Sequence, residues 1–274
     1  MKPTDLKTCA IHTMTNKPWS LEQCCDAYTA AGVGGMSVWR NVIEPIGIVE
    51  AARRVKQSGL KIPALVRGGF FPALSSDVRE KAIVDNKTCI DEAAAIGAEM
   101  VVLVVGAVVG MPLTEARKQV ADGIAKLLPH AEANRVKLAI EPLHPMYAAD
   151  RSCINRMKEA RLVCEQLKSP WVGIACDAYH VWWDPDLEAE IELAGKQKTL
   201  FGFHVCDWRP NTRDLLNDRG LMGEGALDLK TIRQWVERTG FDGMIEVEIF
   251  STEFWAMDQY AYLKKVCDAY LKHV

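Results

Sequence analysis

Short apolar or β-branched segments alternate along this chain with longer stretches of helical periodicity. The apolar segments lie near residues 8–12, 34–39, 62–67, 99–105, 137–141, 172–177, 200–205 and 243–249. The stretches between them are rich in Ala, Leu and charged residues, as in 77–97, 114–133 and 153–168. Eight strands that alternate with helices predict a parallel α/β sheet, because parallel strands need crossover helices.

The length and continuity of the chain favour closure of that sheet into one barrel. The chain has 274 residues and no Pro/Gly/Ser-rich linker or break in composition, so residues 1–274 are predicted to form a single domain. A (β/α)8 TIM barrel typically needs about 250 residues. An open doubly wound sheet is the alternative, but no G-x-G-x-x-G follows the first strand. We therefore expect a (β/α)8 TIM barrel.

Charge and cysteine content restrict the class of function. The formal net charge is −3, and Lys and Arg are dispersed without a basic run, so no nucleic-acid partner is expected. The nine cysteines form an odd set without a C-x-x-C pair, which favours a reducing compartment over a disulfide framework. The longest apolar run, 100–105, is too short to span a membrane. These features predict a cytoplasmic protein.

Four side chains that commonly bind metals stand at the ends of four predicted strands. They are Glu141, Asp177, His204 and Glu248. Because the carboxyl ends of the strands meet at one mouth of a barrel, these distant residues are expected to converge there.

Strand alternation supports this interpretation independently. Glu141 shares a strand face with Ala139, Asp177 with Ala175, and His204 with Gly202, whereas the bulky neighbours point the other way. Small residues beneath each polar end are typical of a narrow barrel interior. The pattern predicts one divalent metal ion bound by all four side chains. The oxygen-rich set suits Mn²⁺, Mg²⁺ or Co²⁺ best, with Zn²⁺ possible.

Glu246 makes the choice of the fourth ligand less direct. It lies two residues before Glu248 and on the same strand face, so either could bind the metal. The residues alone leave this choice open. If Glu248 is the ligand, a buried Glu246 needs a partner, and Lys137 is one candidate for an interior salt bridge.

Several other polar residues follow strands and are candidates for substrate binding. They are His12, Trp39, Arg67, His144, His180 and Arg209. Arg67 ends the third strand, where its guanidinium suits a carboxylate or phosphate. The apolar loop 107–112 is expected either to pack on a second subunit of a homo-oligomer or to line a pocket.

Four segments carry a resemblance to a known family: 139–143, 176–180, 202–209 and 245–250. Together they resemble the xylose isomerase-like TIM-barrel superfamily, and more narrowly its sugar phosphate isomerase/epimerase branch, with inosose isomerase-like proteins and ketose 3-epimerases. The resemblance implies that the four strand-end side chains hold the metal, and that His180 contacts the substrate or a second metal. It favours Glu248 over Glu246 as the fourth ligand through the E-x-F spacing to Phe250. It also implies that Glu141 and Glu248 serve as acid/base partners.

The superfamily includes DNA-repair endonucleases with three zinc ions, which need further histidines on the third, fourth and seventh strands. Here the third strand ends in the segment 66–69 and the seventh is followed by 207–209, all without histidine. A trinuclear nuclease is therefore not expected.

The predicted function is a metal-dependent isomerase or epimerase of a small sugar or polyol-derived carbonyl compound, acting through an enediolate by carboxylate-mediated proton transfer. Two alternatives remain open from the sequence. A dehydratase of the same superfamily would begin with the same proton abstraction and then expel a hydroxyl. A non-catalytic sugar-binding module would use the same pocket without turnover.

Overall fold

The computed structural model describes residues 5–274, and its centre is a closed barrel of eight parallel strands in sequence order. The strands are β1 (Cys9–His12), β2 (Gly35–Trp39), β3 (Ala64–Gly69), β4 (Met100–Val104), β5 (Lys137–Ile140), β6 (Val172–Asp177), β7 (Leu200–Val205) and β8 (Ile245–Val247). The last strand pairs with the first, which closes the sheet. The predicted (β/α)8 TIM barrel is confirmed.

Helices surround the barrel and cover its outer face. They are α1 (Leu21–Ala30), α2 (Ile48–Ser58), α3 (Ser76–Ile96), α4 (Leu113–Asn134), α5 (Met157–Leu167), α6 (Ala178–Val181), α7 (Leu187–Lys196), α8 (Leu229–Arg238), α9 (Thr252–Trp255) and α10 (Gln259–His273). Ser20 and Gln23 form a capping box that begins α1. Gly59 and Gly97 end α2 and α3 in the left-handed conformation, where a side chain would be strained.

The strands have two chemically distinct faces. Bulky residues such as Leu138, Ile174 and Phe203 are fully buried in the large core that the strands form with the helices. A second, smaller cluster fills the barrel interior: Ala64, Val66, Met100, Val102, Ala139 and Ala175. The interior is tight, since a Cβ added at Gly202 would lie 2.8 Å from Cε of Met100. The inward faces predicted for Ala139, Ala175 and Gly202 are therefore confirmed. The outward face expected for Phe201 is wrong, because the pairing of β6 with β7 shifts between Ile174 and Ala175 and the Phe201 ring packs against the interior cluster.

One irregularity interrupts β3. The pairing with β4 shifts between Val66 and Gly68, so Arg67 is an extra residue outside the ladder. The buried Asn86 of α3 holds this bulge: its side-chain amide donates to the Gly69 carbonyl at 2.8 Å, and its Oδ1 accepts from the Gly69 N–H at 2.7 Å. With unbroken alternation Arg67 would share the helix-covered face of Leu65. The bulge instead turns it toward the mouth of the barrel.

Neither disulfide bonds nor a membrane-spanning helix is found in residues 5–274. All nine cysteines are buried and carry free thiols. Within residues 5–274, no helix combines the length and the apolar character that crossing a bilayer requires.

Candidate active site

The four predicted metal ligands meet at the carboxyl end of the barrel. One donor atom from each of Glu141, Asp177, His204 and Glu248 lies within 4.8 Å of all the others, and all four residues are buried. Asp177 and His204 belong to β6 and β7, whereas Glu141 and Glu248 directly follow β5 and β8. Three carboxylates and one imidazole at this spacing form a donor set that one divalent cation fits.

The electrostatics of the cluster agree with a cation site. Burial raises the pKa of Asp177 to about 7; the Arg219 guanidinium opposes this rise, and the carboxylates of Glu248 and Glu141 add to it. Burial opposes the charged form of His204, but the neighbouring carboxylates, led by Glu246, outweigh it and raise the pKa of His204 to about 10. Without a cation, the cluster therefore retains protons that a bound metal would displace.

Glu246 lies behind the cluster and not in it. The Ser37 hydroxyl donates to its Oε2 at 2.5 Å, and His12 Nε2 is 3.3 Å from the same oxygen. Its other oxygen lies 3.7 Å from His204 Nε2. Since His204 Nδ1 faces Glu141 at 2.9 Å, Glu246 is placed to orient the far side of the imidazole.

The predicted salt bridge between Glu246 and Lys137 is wrong. Lys137 is exposed at the start of β5, with its ammonium 4.8 Å from the ring centre of Phe201. Glu246 pairs in register with Ala10 of β1 and with His204 of β7. Its partners are the His12 and His204 imidazoles on those adjoining strands and the Ser37 hydroxyl on β2.

A cavity of about 220 Å³ opens above the cluster. Its polar lining consists of Arg67, Glu141, Arg151, His180, Arg219 and Glu248. Apolar and aromatic side chains complete the wall, among them Trp39, Leu143, Tyr147 and Phe250. A small pocket with an apolar wall and a few convergent polar groups is typical of a small-molecule site.

Arg219 is the principal site residue that the sequence did not indicate. Its Nη1 lies 2.8 Å from Oε2 of Glu248 and 3.3 Å from Oδ2 of Asp177, and its side chain is only 3% exposed. The guanidinium stacks between two rings, 4.4 Å from the centre of Tyr179 and 4.8 Å from that of Phe250. Arg219 thus places one fixed positive charge against two of the carboxylates.

The loop that carries Arg219 is held by close backbone packing. The Asp207 carboxylate accepts hydrogen bonds from the backbone N–H groups of Gly223 and Leu227 at 2.9 and 3.0 Å. A Cβ at Gly225 would lie 2.2 Å from the Trp208 carbonyl oxygen. The glycines of the stretch 220–225 therefore allow the loop backbone to pack closely against the segment that contains Trp208. This glycine-rich stretch was the sequence feature that pointed to an ordered loop beside the site.

The structure divides the predicted substrate-binding residues into two groups. Trp39, Arg67 and His180 line the cavity. His12, His144 and Arg209 are outside its lining.

Each residue of the second group contacts other protein groups. His12 is fully buried behind Glu248, with Nδ1 3.0 Å from Oε1 of that residue. His144 accepts a hydrogen bond from the Met146 N–H at 3.2 Å, and its ring lies 4.9 Å from that of Trp208. Arg209 has Nη1 3.0 Å from both Asp218 and Glu253, in a separate surface depression.

Fold and site together define the class of the protein. Residues 25–266 match the sequence model described as Xylose isomerase-like TIM barrel, and the chain belongs to this family. The resemblance read from the four segments is thereby confirmed.

Individual relatives share different amounts of the chain. The crystal structure of protein SMc04130 from Sinorhizobium meliloti 1021 is 45% identical, with a TM-score of 0.95 over 98% of this chain and 99% of that one. The structure of IOLI protein with a binding zinc atom has a TM-score of 0.83 at 19% identity, covering 100% and 99% of the two chains. An inosose isomerase of Bacillus subtilis (strain 168) is 25% identical over 147 residues, 52% of this chain and 50% of the relative. This match spans only about half of that curated relative.

Proposed function

We propose that this protein is a divalent-metal-dependent isomerase or epimerase of a small sugar or polyol-derived carbonyl compound. The observation that carries the proposal is the convergence of four buried donor groups, from β5 to β8, beneath one cavity. The inosose isomerase named among the curated relatives supports the reaction class. The IOLI structure, with its zinc atom, supports the presence of a divalent ion.

The donor chemistry narrows the choice of ion. Three of the four donor groups are carboxylates, which favours Mn²⁺, Mg²⁺ or Co²⁺. Zn²⁺ is the alternative that the IOLI structure supports. Bound here, the ion would polarise a substrate carbonyl and stabilise the enediolate that follows loss of a neighbouring proton.

The chain's own residues supply the proton transfer. Glu141 and Glu248 both line the cavity, so one carboxylate can take the proton from the substrate carbon while the other returns it. The positive charge of Arg219 against Glu248 favours the ionised form of that carboxylate. We assign substrate contacts to Trp39 and His180, which line the same space.

Solvent exchange tests the reaction. In D2O with Mn²⁺, the protein is expected to introduce deuterium at the reacting carbon of a ketose or inosose, because a carboxylate that removes a proton exchanges it with solvent. A panel of such sugars would be followed by NMR, with the Glu141→Gln variant as the matched control. Turnover without deuterium uptake would refute the proposal, and a conjugated, ultraviolet-absorbing product would assign the protein as a dehydratase.

Two substitutions on one strand test which glutamate holds the metal. Glu248→Gln is expected to weaken metal binding by more than about a hundredfold, because it removes a donor. Glu246→Gln is expected to weaken it only about tenfold to a hundredfold, as is typical for a group that orients a ligating histidine. Isothermal titration with Mn²⁺ measures both. A larger loss in Glu246→Gln would make Glu246 the ligand.

A further inference from the structure

Two arginines on the wall of the cavity lack a strong acidic partner. Among residues 5–274, no carboxylate lies within ion-pair distance of Arg67, whose guanidinium stacks 4.5 Å from the ring centre of Phe70. The carboxylate that Arg151 approaches is that of Asp150, an exposed neighbour, at 3.7 Å. Both arginines nevertheless line the same cavity as the metal cluster.

The fold directs Arg67 to this place. Arg67 is the extra residue of the β3 bulge, and without the bulge it would lie on the helix-covered face. Bulges beside active sites commonly serve to re-aim a side chain. Asn86 of α3 fixes this one with two hydrogen bonds to Gly69. The buried contacts between Asn86 and Gly69 thus hold the unpaired guanidinium of Arg67 at the cavity.

The charges around the cavity indicate whether Arg67 and Arg151 are already neutralised. The carboxylates of Glu141, Asp177 and Glu248 carry three negative charges when ionised, which one divalent ion and Arg219 together neutralise. Arg67 and Arg151 are then in excess. Burial, followed by the like charge of Arg151, lowers the pKa of Arg67, and the carboxylates of Glu141 and Glu248 offset only part of this fall. A neutral sugar would leave Arg67 without a counter-charge in the cavity, and Arg151 with only the exposed carboxylate of Asp150 at 3.7 Å.

We propose that Arg67 and Arg151 bind an anionic group, a carboxylate or a phosphate, on the substrate whose carbonyl end lies at the metal cluster. This inference rests on the proposed function and narrows its substrate class from sugars in general to acidic or phosphorylated ones. Guanidinium groups suit this role because they form paired, charge-assisted hydrogen bonds with planar or tetrahedral oxyanions.

A set of achiral probes tests the proposal without depending on sugar stereochemistry. Dihydroxyacetone, hydroxypyruvate and dihydroxyacetone phosphate share a hydroxyl next to a carbonyl and differ only in a neutral, carboxylate or phosphate end. Isothermal titration on the Mn²⁺-loaded protein is expected to give at least one anionic probe a dissociation constant about tenfold or more below that of dihydroxyacetone. The tighter anion identifies the group.

Substitutions locate the anion. Arg67→Gln and Arg151→Gln are each expected to reduce the preference for the anion about tenfold and to leave dihydroxyacetone unaffected. The matched control is Arg53→Gln, which removes an exposed arginine paired with Glu50 on α2. The same titrations after metal removal are expected to retain the dependence on Arg67. Equal or absent binding of the anions by the wild type, or an unchanged preference in both variants, would overturn the inference.

Failure of the anion-binding inference can be distinguished from failure of the proposed isomerase function. Deuterium exchange on neutral sugars without any preference for anions would remove this inference and keep the isomerase assignment. Anion binding that depends on Arg67 and Arg151, without proton exchange in any probe, would keep the anion site and remove the isomerase assignment.

Discussion

Replacement of His204 by asparagine is expected to lower metal affinity by roughly a hundredfold or more and to abolish measurable proton exchange. His204 is fully buried and is the single nitrogen donor among three carboxylates. Its loss leaves those carboxylates crowded without the imidazole, which favours protonation over metal binding. Metal content per chain, measured by plasma mass spectrometry after dialysis, and deuterium uptake check both parts.

The matched control is His130→Asn, since His130 lies on the surface of α4 and pairs with Asp91 at 2.7 Å. That variant is expected to retain full metal content and full exchange. If His204→Asn also retained both, the four strand-end groups would not form the metal centre. Thermal unfolding of both variants shows whether any loss reflects misfolding.

Removal of the Arg219 charge is expected to have the largest effect on stability. Arg219→Gln leaves the buried Glu248 carboxylate, and the ionised fraction of Asp177 with its pKa of about 7, without their cation; breaking a buried ion pair typically costs about 3–5 kcal/mol. We expect a loss of this size in the free energy of unfolding of the metal-free protein, measured by urea denaturation at neutral pH. The loss is expected to shrink at low pH, where the carboxylates are protonated, and when metal is bound.

The control for this prediction is Arg233→Gln, because Arg233 is also buried but pairs with Glu237 on its own helix, α8. It is expected to change stability little and proton exchange not at all. Arg219→Lys is expected to recover part of the stability, since it restores charge without the flat group that stacks on Tyr179 and Phe250. Equal stability of Arg219→Gln and wild type at neutral pH would contradict the role assigned to this charge.

The sequence predicted the fold and the central cluster because a closed barrel imposes strict geometric rules. Small residues recur on the inward face because the barrel interior is narrow, so Ala139, Ala175 and Gly202 identified that face of their strands. Once that face was known, the polar residue at each strand end had to point into the mouth. Local alternation thus indicated the candidate metal ligands, but it left the choice between Glu246 and Glu248 open because both lie on one strand face.

The rest of the site depends on contacts between distant parts of the chain. Arg219 lies in a loop whose path is fixed by bridges from Asp207 to Gly220 and from Asp218 to Ser251, which no periodicity reports. Arg67 was selected as a strand-end residue, but the bulge that aims it depends on Asn86 in another element. The prediction that Lys137 pairs with Glu246 was wrong because strand alternation gives the face on which a residue lies. It does not give the neighbours of that residue on other strands of the barrel.

The bulge in β3 also bears on how the substrate preference of such a barrel can change during evolution. Arg67 stands outside the hydrogen-bonded ladder, and it forms no ion pair with any of the four candidate metal ligands. Under the proposed anion site, exchange of this one residue would alter the group recognised at the far end of the substrate while leaving the proposed proton-transfer carboxylates, Glu141 and Glu248, in place. The bulge thus carries the proposed substrate-recognising side chain, which can be replaced without changing the strand-end cluster.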